Sequence, residues 1–414
     1  MTESRDITVI GAGIAGMCCA LQLLRDGHRV SVLDRDGPGE GCSFGNAGLI
    51  SPSTSSPLAS RDVIRKAAAW MFDAESPLRV RWGYLPRALP WFWRFAKAAD
   101  PDVYDNGVRA LCALHAEAFT LYDSMIDTST IIKRLGQLQV FESDASFEVA
   151  RGINKVRREA GATVEELDIA ALRQMVPELS PIVRHALFFP DNGHTVNPNR
   201  LVNTIADRFV AEGGTIRQGV LQDFETRDGA VSALVTDTGS EPVGTSSTIV
   251  ISAGAYSQPL AKQLGDAIPL EAERGYHLEL PDPGVMPRIS LSAGDRKFTM
   301  TPMENGFRLA GTAEFAGREA APDYRRSRLL FRHAREYFPG LRDTDAREWM
   351  GRRPSTPDSL PVIDRASRYG NVFYAFGHGH TGLSGSPMTG KLITDMIAGR
   401  EPSIDATPFR LGRF

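Results

Sequence analysis

A glycine-rich turn near residue 11, set between an apolar run and a helix-like segment, constrains the fold more than any other feature. Residues 7–10 form a short apolar run typical of a buried parallel strand, and residues 14–25 carry apolar side chains at helical spacing. A second apolar run follows at residues 30–33. Strand, helix and strand within about thirty residues form a βαβ unit, so the sequence predicts a Rossmann-type nucleotide-binding domain.

The turn reads GxGxxG, and each glycine has a separate physical task. The first permits a tight turn, the second lets the backbone approach a pyrophosphate, and the third lets the helix pack closely on the strand. The helix N-terminus offers N–H groups to the phosphates. Asp34, 23 residues after the first glycine, ends the second strand and is placed to bind ribose hydroxyls. The residues predicted to bind the dinucleotide here are Gly11, Ala12, Gly13, Ile14, Ala15, Gly16, Asp34 and Arg35.

This motif alone does not distinguish NAD from FAD, but two further glycine-rich segments favour a flavin. The small, polar loop GCSFGNAGLISP at residues 41–52 is suited to run along a diphosphate toward a flavin ring. The turn GHGHTGLS at residues 377–384 follows a strand and precedes a helix, so its N–H groups can stabilise negative charge on a reduced flavin. The predicted contacts are Cys42, Ser43, Asn46, Ala47, Gly48 and Leu49 from the loop, and Gly379, His380, Thr381, Gly382, Leu383 and Ser384 from the turn.

The rest of the chain predicts an α/β (α+β) fold in which a Rossmann-type FAD-binding domain is interleaved with an antiparallel-sheet substrate domain. Helices separated by Pro77, Pro86, Pro90 and Pro101 are predicted over residues 61–127, and strand-like runs follow residue 138. We assign residues 1–60, 190–265 and 350–414 to the FAD-binding domain. Residues 61–189 and 266–349 then form the substrate-binding domain.

These motifs resemble those of the D-amino-acid oxidase-like FAD superfamily, which includes glycine oxidase and sarcosine oxidase, and above all its bacterial D-amino-acid dehydrogenase branch. The segments GRRPSTPD at 351–358, GHGHTGLSGSPMTGKLI at 377–393 and SAGAYS at 252–257 carry the likeness together with the two N-terminal segments. The resemblance implies FAD contacts at Ala253, Gly254 and Val220, the last through its backbone to adenine. Cys42 stands where the family commonly has threonine. No residue matches a known covalent attachment, so non-covalent FAD is expected.

The resemblance also implies a substrate pocket that includes Arg353, His380 and Tyr276. Oxidising an amine at Cα requires that the carboxylate is held and the C–H bond is oriented, and arginine suits the first task. Arg353 is either this carboxylate binder or an ion-pair partner that supports the second sheet. His380 is expected to tune the flavin or to bond to the substrate, and Tyr276 either lines the site or packs in the sheet.

Composition and charge exclude several other classes of function. A net charge of −3 gives no reason to expect a nucleic-acid partner. The four cysteines lack metal-site or disulfide spacing, so no metal and a cytoplasmic location are expected. No stretch reaches the roughly 18 apolar residues that a membrane-spanning helix needs.

The expected activity is oxidative deamination of a D-amino acid, with D-proline and cis-4-hydroxy-D-proline among the substrates considered. Electrons would pass to a quinone or a carrier protein. The alternatives are a glycine- or sarcosine-type oxidase that uses O2, and a flavin-binding scaffold subunit of an electron-transfer complex. Residues 70–97 hold four of the five tryptophans among basic residues. This segment predicts peripheral contact with the inner face of the cytoplasmic membrane, a partner subunit, or a helical subdomain over the flavin entrance.

Overall fold

Helices and strands alternate along the chain in the computed structural model, which describes residues 4–73, 75–244 and 247–414. The helices are α1 Ile14–Arg25, α2 Arg61–Phe72, α3 Leu85–Ala98, α4 Pro101–His115, α5 Ala118–Met125, α6 Asp144–Glu159, α7 Ile169–Met175, α8 Pro198–Ala211, α9 Ser257–Gln263, α10 Arg325–Tyr337 and α11 Gly382–Ala398. The strands are β1 Asp6–Ile10, β2 Arg29–Asp34, β3 Leu49–Ile50, β4 Leu78–Val80, β5 Ile132–Lys133, β6 Gln137–Phe141, β7 Glu165–Leu167, β8 His185–Phe189, β9 Gly193–Thr195, β10 Thr215–Gln218, β11 Leu221–Arg227, β12 Ala230–Thr236, β13 Gly239–Pro242, β14 Thr248–Ile251, β15 Glu271–Leu280, β16 Ser290–Ala293, β17 Phe298–Met303, β18 Gly306–Phe315, β19 Arg347–Ser355, β20 Val362–Arg365 and β21 Val372–Phe376.

The first sheet has the strand order β10-β2-β1-β14-β21-β20, in which all neighbours are parallel except β21 and β20. Its strands are apolar because both faces are covered. Helices α1, α8 and α11 pack on one face. Helix α9 and the small sheet β11-β12-β13 pack on the other. This doubly covered parallel sheet confirms the Rossmann-type architecture predicted from the sequence.

The second sheet is large and mainly antiparallel, with the order β19-β15-β18-β17-β16-β6-β8-β7 and β4 beside β18. Helix α10 packs on one face through an apolar cluster that includes Leu330 and Phe338. The opposite face carries His277, Thr301 and Arg308, whose side chains bond to backbone carbonyls of residues 45–47. The two sheets therefore meet at the loop that follows β2.

The predicted βαβ unit is confirmed, and two turns elsewhere have the geometry that their residues favour. The strands β1 and β2 and the helix α1 lie within one residue of their predicted bounds. Asp228 and Gly229 have φ values of 50° and 77° and form the turn between β11 and β12. Gly399, with φ 67°, ends α11 as a left-handed cap. Within the described ranges, no helix combines the length and the apolar content that crossing a bilayer requires.

We predicted that Pro90 separates two helices, but it lies inside α3. A proline within a helix removes one backbone hydrogen bond and crowds the preceding turn. Aromatic packing offsets this cost. Trp91 stacks on Phe95 with 5.1 Å between ring centroids and lies 5.1 Å from the ring of Phe315 in the second sheet. Tertiary contact therefore maintains a helix that the proline alone would end.

Two segments belong to a different sheet from the one that their predicted domain implies. Helices α4 and α5 were assigned to the substrate domain, yet Leu111, Leu114 and Tyr122 share a core with α1 and α11 of the first sheet. Strand β19 crosses the predicted boundary at residue 350 and pairs wholly within the second sheet. Strand periodicity does not reveal which sheet receives a strand, and this accounts for the second difference.

Candidate active site

The glycine-rich turn packs so closely that two of its glycines have no room for a side chain. Gly11 has φ +109°, and a Cβ there would lie 2.4 Å from the carbonyl oxygen of Ser252. A Cβ at Gly16 would lie 1.8 Å from the carbonyl oxygen of Gly11. A Cβ at Gly13 would meet only the Ser43 hydroxyl, at 3.4 Å. The N-terminus of α1 is therefore accessible at Gly13, the position where phosphates bind in turns of this type.

Asp34, the predicted ribose-binding residue, also fixes the glycine-rich turn. One carboxylate oxygen accepts the N–H of Ala12 at 2.7 Å, and the other accepts the N–H groups of Asp36 and Gly37 at 2.8 and 2.9 Å. An ionised carboxylate offers about four lone-pair positions, so one remains for a ribose hydroxyl. The ribose role stays a prediction.

Three further predicted cofactor contacts are Val220, Arg35 and Ala253, and their surroundings differ. The N–H of Val220 donates to Oδ1 of Asp237 at 2.9 Å, and the Val220 carbonyl accepts the Asp237 N–H at 3.0 Å. One lone pair of the Val220 carbonyl remains, and the backbone contact with adenine stays a prediction. The guanidinium of Arg35 lies 4.5 Å from the ring centroid of Tyr256. Ala253 adjoins the glycine-rich turn, with its Cα 3.0 Å from the Cβ position of the first glycine.

The loop at residues 41–52 is held by the second sheet. Three side chains of that sheet bond to its carbonyl groups: His277 Nδ1 to Gly45 at 2.7 Å, Arg308 Nη1 to Asn46 at 3.0 Å and Thr301 Oγ1 to Ala47 at 2.8 Å. Within the loop, β3 pairs with β9. The hydroxyl of Ser384 in α11 accepts the N–H of Ser51 at 2.9 Å. The loop therefore lies between the two sheets, and its flavin contacts stay a prediction.

Cys42 and Ser43 face different parts of the site. The Ser43 hydroxyl accepts the N–H of Ile14 at 3.0 Å, which places the loop against the start of α1. Cys42 lies close enough to Glu273 and Arg353 for their charges to affect it. Burial raises the pKa of the Cys42 thiol to about 11, with the charge of Arg353 opposing this rise and that of Glu273 adding to it. The thiol is therefore neutral at pH 7, which suits a lining role.

The turn that precedes α11 connects the second sheet to the first. The N–H of Gly379 donates to the carbonyl of Pro354 at 3.0 Å. A Cβ at Gly382 would lie 3.9 Å from the side chain of Ile14, so the N-termini of α1 and α11 are neighbours. Among the residues that the structure describes, no side chain caps the start of α11 at Thr381. Two positive helix-dipole ends converge here, which suits an anionic cofactor.

Arg353 and His380, predicted from separate motifs, meet at the carboxylate of Glu273 in β15. Nη1 of Arg353 donates to Oε1 at 2.8 Å, Nε2 of His380 bonds to the same oxygen at 2.7 Å, and the Ser355 hydroxyl donates to Oε2 at 2.9 Å. A Cβ at Gly275 would lie 2.1 Å from Nη2 of Arg353, so this glycine gives the guanidinium room to cross β15. We call these four residues, Glu273, Arg353, Ser355 and His380, the Glu273 cluster.

Glu273 is ionised although its side chain is only 2% exposed. Burial raises the pKa of its carboxyl, but the charge and hydrogen bond of His380, the charge of Arg353 and the bond from Ser355 outweigh burial and hold the pKa at about 2. Arg353 therefore does form the ion pair that the sequence left open. Its contacts to Glu273, Thr312 and Gly311 leave two of its five N–H donors without a partner among the described residues.

Tyr276, the third predicted active-site residue, faces the other side of β15. Its hydroxyl donates to Glu314 Oε2 at 2.5 Å and accepts the N–H of Asp323 at 3.0 Å, beside the start of α10. Side chains alternate between the faces of a strand, so Tyr276 points away from the face that carries Glu273 and His277. The structure contradicts an active-site role for Tyr276, and packing in the sheet describes its contacts.

Sequence reasoning missed Glu273, Ser355, His277 and Arg308. A signal was present in the segment EAERGYHLEL at residues 271–280, where acidic side chains recur at alternate positions in an otherwise buried strand. Charged residues at period two in such a strand indicate that one face carries a paired polar cluster.

The chain matches the family of FAD dependent oxidoreductases designated DAO over residues 6–396. It is 35% identical over 424 residues to a D-amino-acid oxidase of Bradyrhizobium diazoefficiens, with 100% of each chain covered. It is 30% identical over 426 residues to a D-amino acid dehydrogenase of Allorhizobium ampelinum, covering 99% of this chain and 98% of that relative. Glycine oxidase from Geobacillus kaustophilus has a similar fold, with a TM-score of 0.72, 21% identity and 100% of each chain covered.

A parallel nucleotide-binding sheet, a second sheet facing it across a glycine-rich loop, and two converging helix N-termini define a flavin-dependent oxidoreductase. The chain belongs to the DAO family of FAD-dependent oxidoreductases. Its cofactor is FAD, and the site fits that group. Gly13 leaves the start of α1 accessible for phosphates, and the residues near Thr381 present a helix N-terminus on the side where the second sheet approaches.

Proposed function

We propose that this chain oxidises a D-amino acid, or a cyclic D-imino acid such as D-proline or cis-4-hydroxy-D-proline. The observation that carries the proposal is the Glu273 cluster, which places an arginine and a histidine where the second sheet meets the start of α11. The relatives named D-amino-acid oxidase and D-amino acid dehydrogenase support the D configuration.

Arg353 is the proposed carboxylate-binding residue. Its guanidinium lies on the face of the second sheet that contacts the loop at residues 41–52, and it keeps donors available beyond its bonds to Glu273 and backbone carbonyls. Arginine binds a carboxylate through two parallel N–H bonds, which fixes the plane of the substrate. His380 is the proposed partner of the substrate amine, since its ring adjoins Arg353 through their shared contact with Glu273.

The reaction requires little acid–base chemistry from the protein. FAD, when bound, supplies the acceptor for a hydride equivalent. The substrate amine loses a proton, the Cα–H bond breaks with its electron pair, and a C=N bond forms. Water then releases ammonia from an acyclic imino acid to give a 2-oxo acid, whereas a D-proline-type substrate leaves as a cyclic imine. Arg353 and His380 contribute by orienting the Cα–H bond.

For the electron acceptor we propose a quinone or carrier protein reached through residues 70–97. The range 61–97 holds eight basic and three acidic residues in a chain of net charge −3. On α3, Leu89 and Trp93 are 54% and 59% exposed, and Nζ of Lys97 lies 3.7 Å from the Trp93 ring centroid. Exposed aromatic and basic side chains suit an anionic membrane surface. Trp91 instead packs on the second sheet, as a helical subdomain would.

An anaerobic titration of the FAD-loaded protein tests the substrate. We expect D-amino or D-imino acids, and not their L enantiomers, to bleach the oxidised flavin absorbance. Bleaching by glycine or sarcosine alone would favour a glycine- or sarcosine-type oxidase. No bleaching by any amino acid in the presence of bound FAD would favour a scaffold subunit.

A second measurement tests the acceptor. After reduction by substrate, the flavin should be reoxidised faster by a soluble quinone than by air-saturated buffer, with little hydrogen peroxide formed. Stoichiometric peroxide with rapid reoxidation by O2 would assign the chain to the oxidases instead.

A further inference from the structure

We infer that Glu273 makes the substrate site select zwitterions, so that a simple carboxylate of the same shape binds poorly. The inference rests on the proposed function in taking Arg353 as the residue that receives the substrate carboxylate. It goes further in naming a residue, and a charge class of ligand, that determine specificity.

The starting observation is that the Arg353 charge is already compensated. The Glu273 carboxylate lies 2.8 Å from Nη1 of Arg353, and the two side chains are 2% and 17% exposed. Burial of this extent makes ion pairing strong and leaves little water to screen either charge. Together the two side chains form a neutral pair rather than a cationic anchor.

Apart from His380, the charged and titratable groups near the pair are neutral or have other partners. Arg352 extends from the opposite face of β19, where its Nε donates to the carbonyl of Arg318 at 2.6 Å. Glu271 accepts a bond from the Tyr84 hydroxyl at 2.9 Å. His378 is buried against Thr389 Oγ1 at 2.8 Å, and the Cys42 thiol is neutral. His380 shares Oε1 of Glu273 with Arg353, so Glu273 is the anion that both side chains contact.

A neutral site discriminates between two kinds of carboxylate ligand. A lone carboxylate that reaches Arg353 brings a second negative charge beside Glu273, and like charges so close repel strongly in a buried site. A zwitterion brings its carboxylate to Arg353 and its ammonium toward Glu273, so each charge meets an opposite one. The same charge rule disfavours the 2-oxo acid that an amino acid becomes, because that product has lost its cation.

Two unreactive probes test this directly. 2-Aminoisobutyrate is a zwitterion without a Cα–H bond, so it cannot be oxidised, and isobutyrate is the same skeleton without the amine. Dissociation constants come from flavin absorbance changes at pH 7 in FAD-loaded protein. We expect the wild-type protein to bind 2-aminoisobutyrate roughly tenfold more tightly than isobutyrate. Glu273→Gln should reverse this preference, because it leaves Arg353 as an uncompensated cation.

Glu271→Gln is the matched control, because Glu271 lies two residues earlier on the same face of β15 and bonds to a tyrosine rather than an arginine. It should keep the wild-type preference. Equal affinities for the two probes in the wild-type protein, or no measurable binding of 2-aminoisobutyrate, would overturn the inference. That comparison needs no variant, so the inference can still be overturned if Glu273→Gln fails to retain FAD.

A failure of this inference can be distinguished from a failure of the proposed function. If D-amino acids reduce the flavin but Glu273→Gln leaves the probe preference unchanged, the inference fails alone. If the probes behave as expected but no amino acid reduces the flavin, the proposed oxidation fails, and zwitterion selection by Glu273 stands.

Discussion

At the scale of single residues, two adjacent arginines differ in the roles that their positions permit. Arg352 and Arg353 project from opposite faces of β19 because side chains alternate along a strand. Arg353 reaches Glu273 on the site face, whereas Arg352 bonds to a backbone carbonyl on the other. Removing Arg353 outright would leave the buried Glu273 carboxylate with only His380 and Ser355 as partners, which would destabilise the protein. A charge-conserving substitution therefore separates substrate binding from stability.

We expect Arg353→Lys to raise KM for a D-amino acid by roughly 10- to 100-fold, because lysine keeps the charge beside Glu273 but loses the planar fork that binds a carboxylate. FAD content should stay unchanged. Arg352→Lys is the control and should leave KM within about twofold of wild type. Steady-state kinetics with an artificial acceptor measure both. An unchanged KM for Arg353→Lys would remove Arg353 from the substrate site.

At the scale of secondary-structure elements, α1 depends on a glycine for its position and α6 does not. A side chain at Gly16 would collide with the carbonyl of Gly11, which belongs to the turn that α1 follows. Gly152 lies on the exposed side of α6, where a Cβ would have no atom within 4 Å. The same substitution in two helices therefore separates helix propensity from packing.

Gly152→Ala should stabilise the protein by about 1 kcal/mol, since alanine is the better helix former. Gly16→Ala should destabilise it and lower the ratio of flavin to protein absorbance after purification, because the helix cannot move away from β1 without opening the turn. Urea unfolding and the absorbance ratio report the two effects. A Gly16→Ala protein with full flavin content would show that close packing of α1 is dispensable.

The element scale also shows what a sequence can reveal. The unit β1–α1–β2 was predicted to within one residue because its turn, helix and strands are contiguous. The pairing of β6 with β16, whose residues lie about 150 positions apart, depends on long-range contacts that periodicity does not encode. Arg353 and His380 were both named as candidates from the sequence, but their meeting at Glu273 depends on the pairing of β15 with β19. Tyr276 was misassigned because the motif alone does not identify which strand face meets the loop.

At the scale of the whole molecule, four histidines are buried where protonation is unfavourable. Burial is the main cause in each case, and it lowers the pKa to about 3 for His115 and His277 and to about 4 for His194 and His378. The two charged neighbours of most effect are Arg308 near His277 and Lys133 near His194. In the unfolded chain these side chains have a pKa of about 6.5, which is well above their pKa in the folded protein.

Stability should therefore fall as pH drops below about 6.5, since the unfolded state binds protons that the folded state refuses. Each histidine contributes about 2 kcal/mol of this loss between pH 6.5 and pH 5. Urea unfolding with saturating FAD at pH 7.5, 6 and 5 measures the trend. His115→Phe should reduce this loss of stability by about 2 kcal/mol, because phenylalanine does not titrate. Neither ring nitrogen of His115 has a partner among the described residues, so the substitution breaks no hydrogen bond. Equal stability at pH 7.5 and pH 5 would contradict the prediction.

The placement of β21 and α11 has a consequence for how the protein is made. Strand β21 lies within the first sheet, between β14 and β20, and α11 packs against α1. The ribosome synthesises both after every strand of the second sheet, so a nascent chain holds an incomplete nucleotide-binding fold until about residue 398 has emerged. FAD capture is therefore a late event in biosynthesis. FAD that is present earlier in elongation then meets a nucleotide-binding sheet that still lacks β21 and the helix N-terminus of α11.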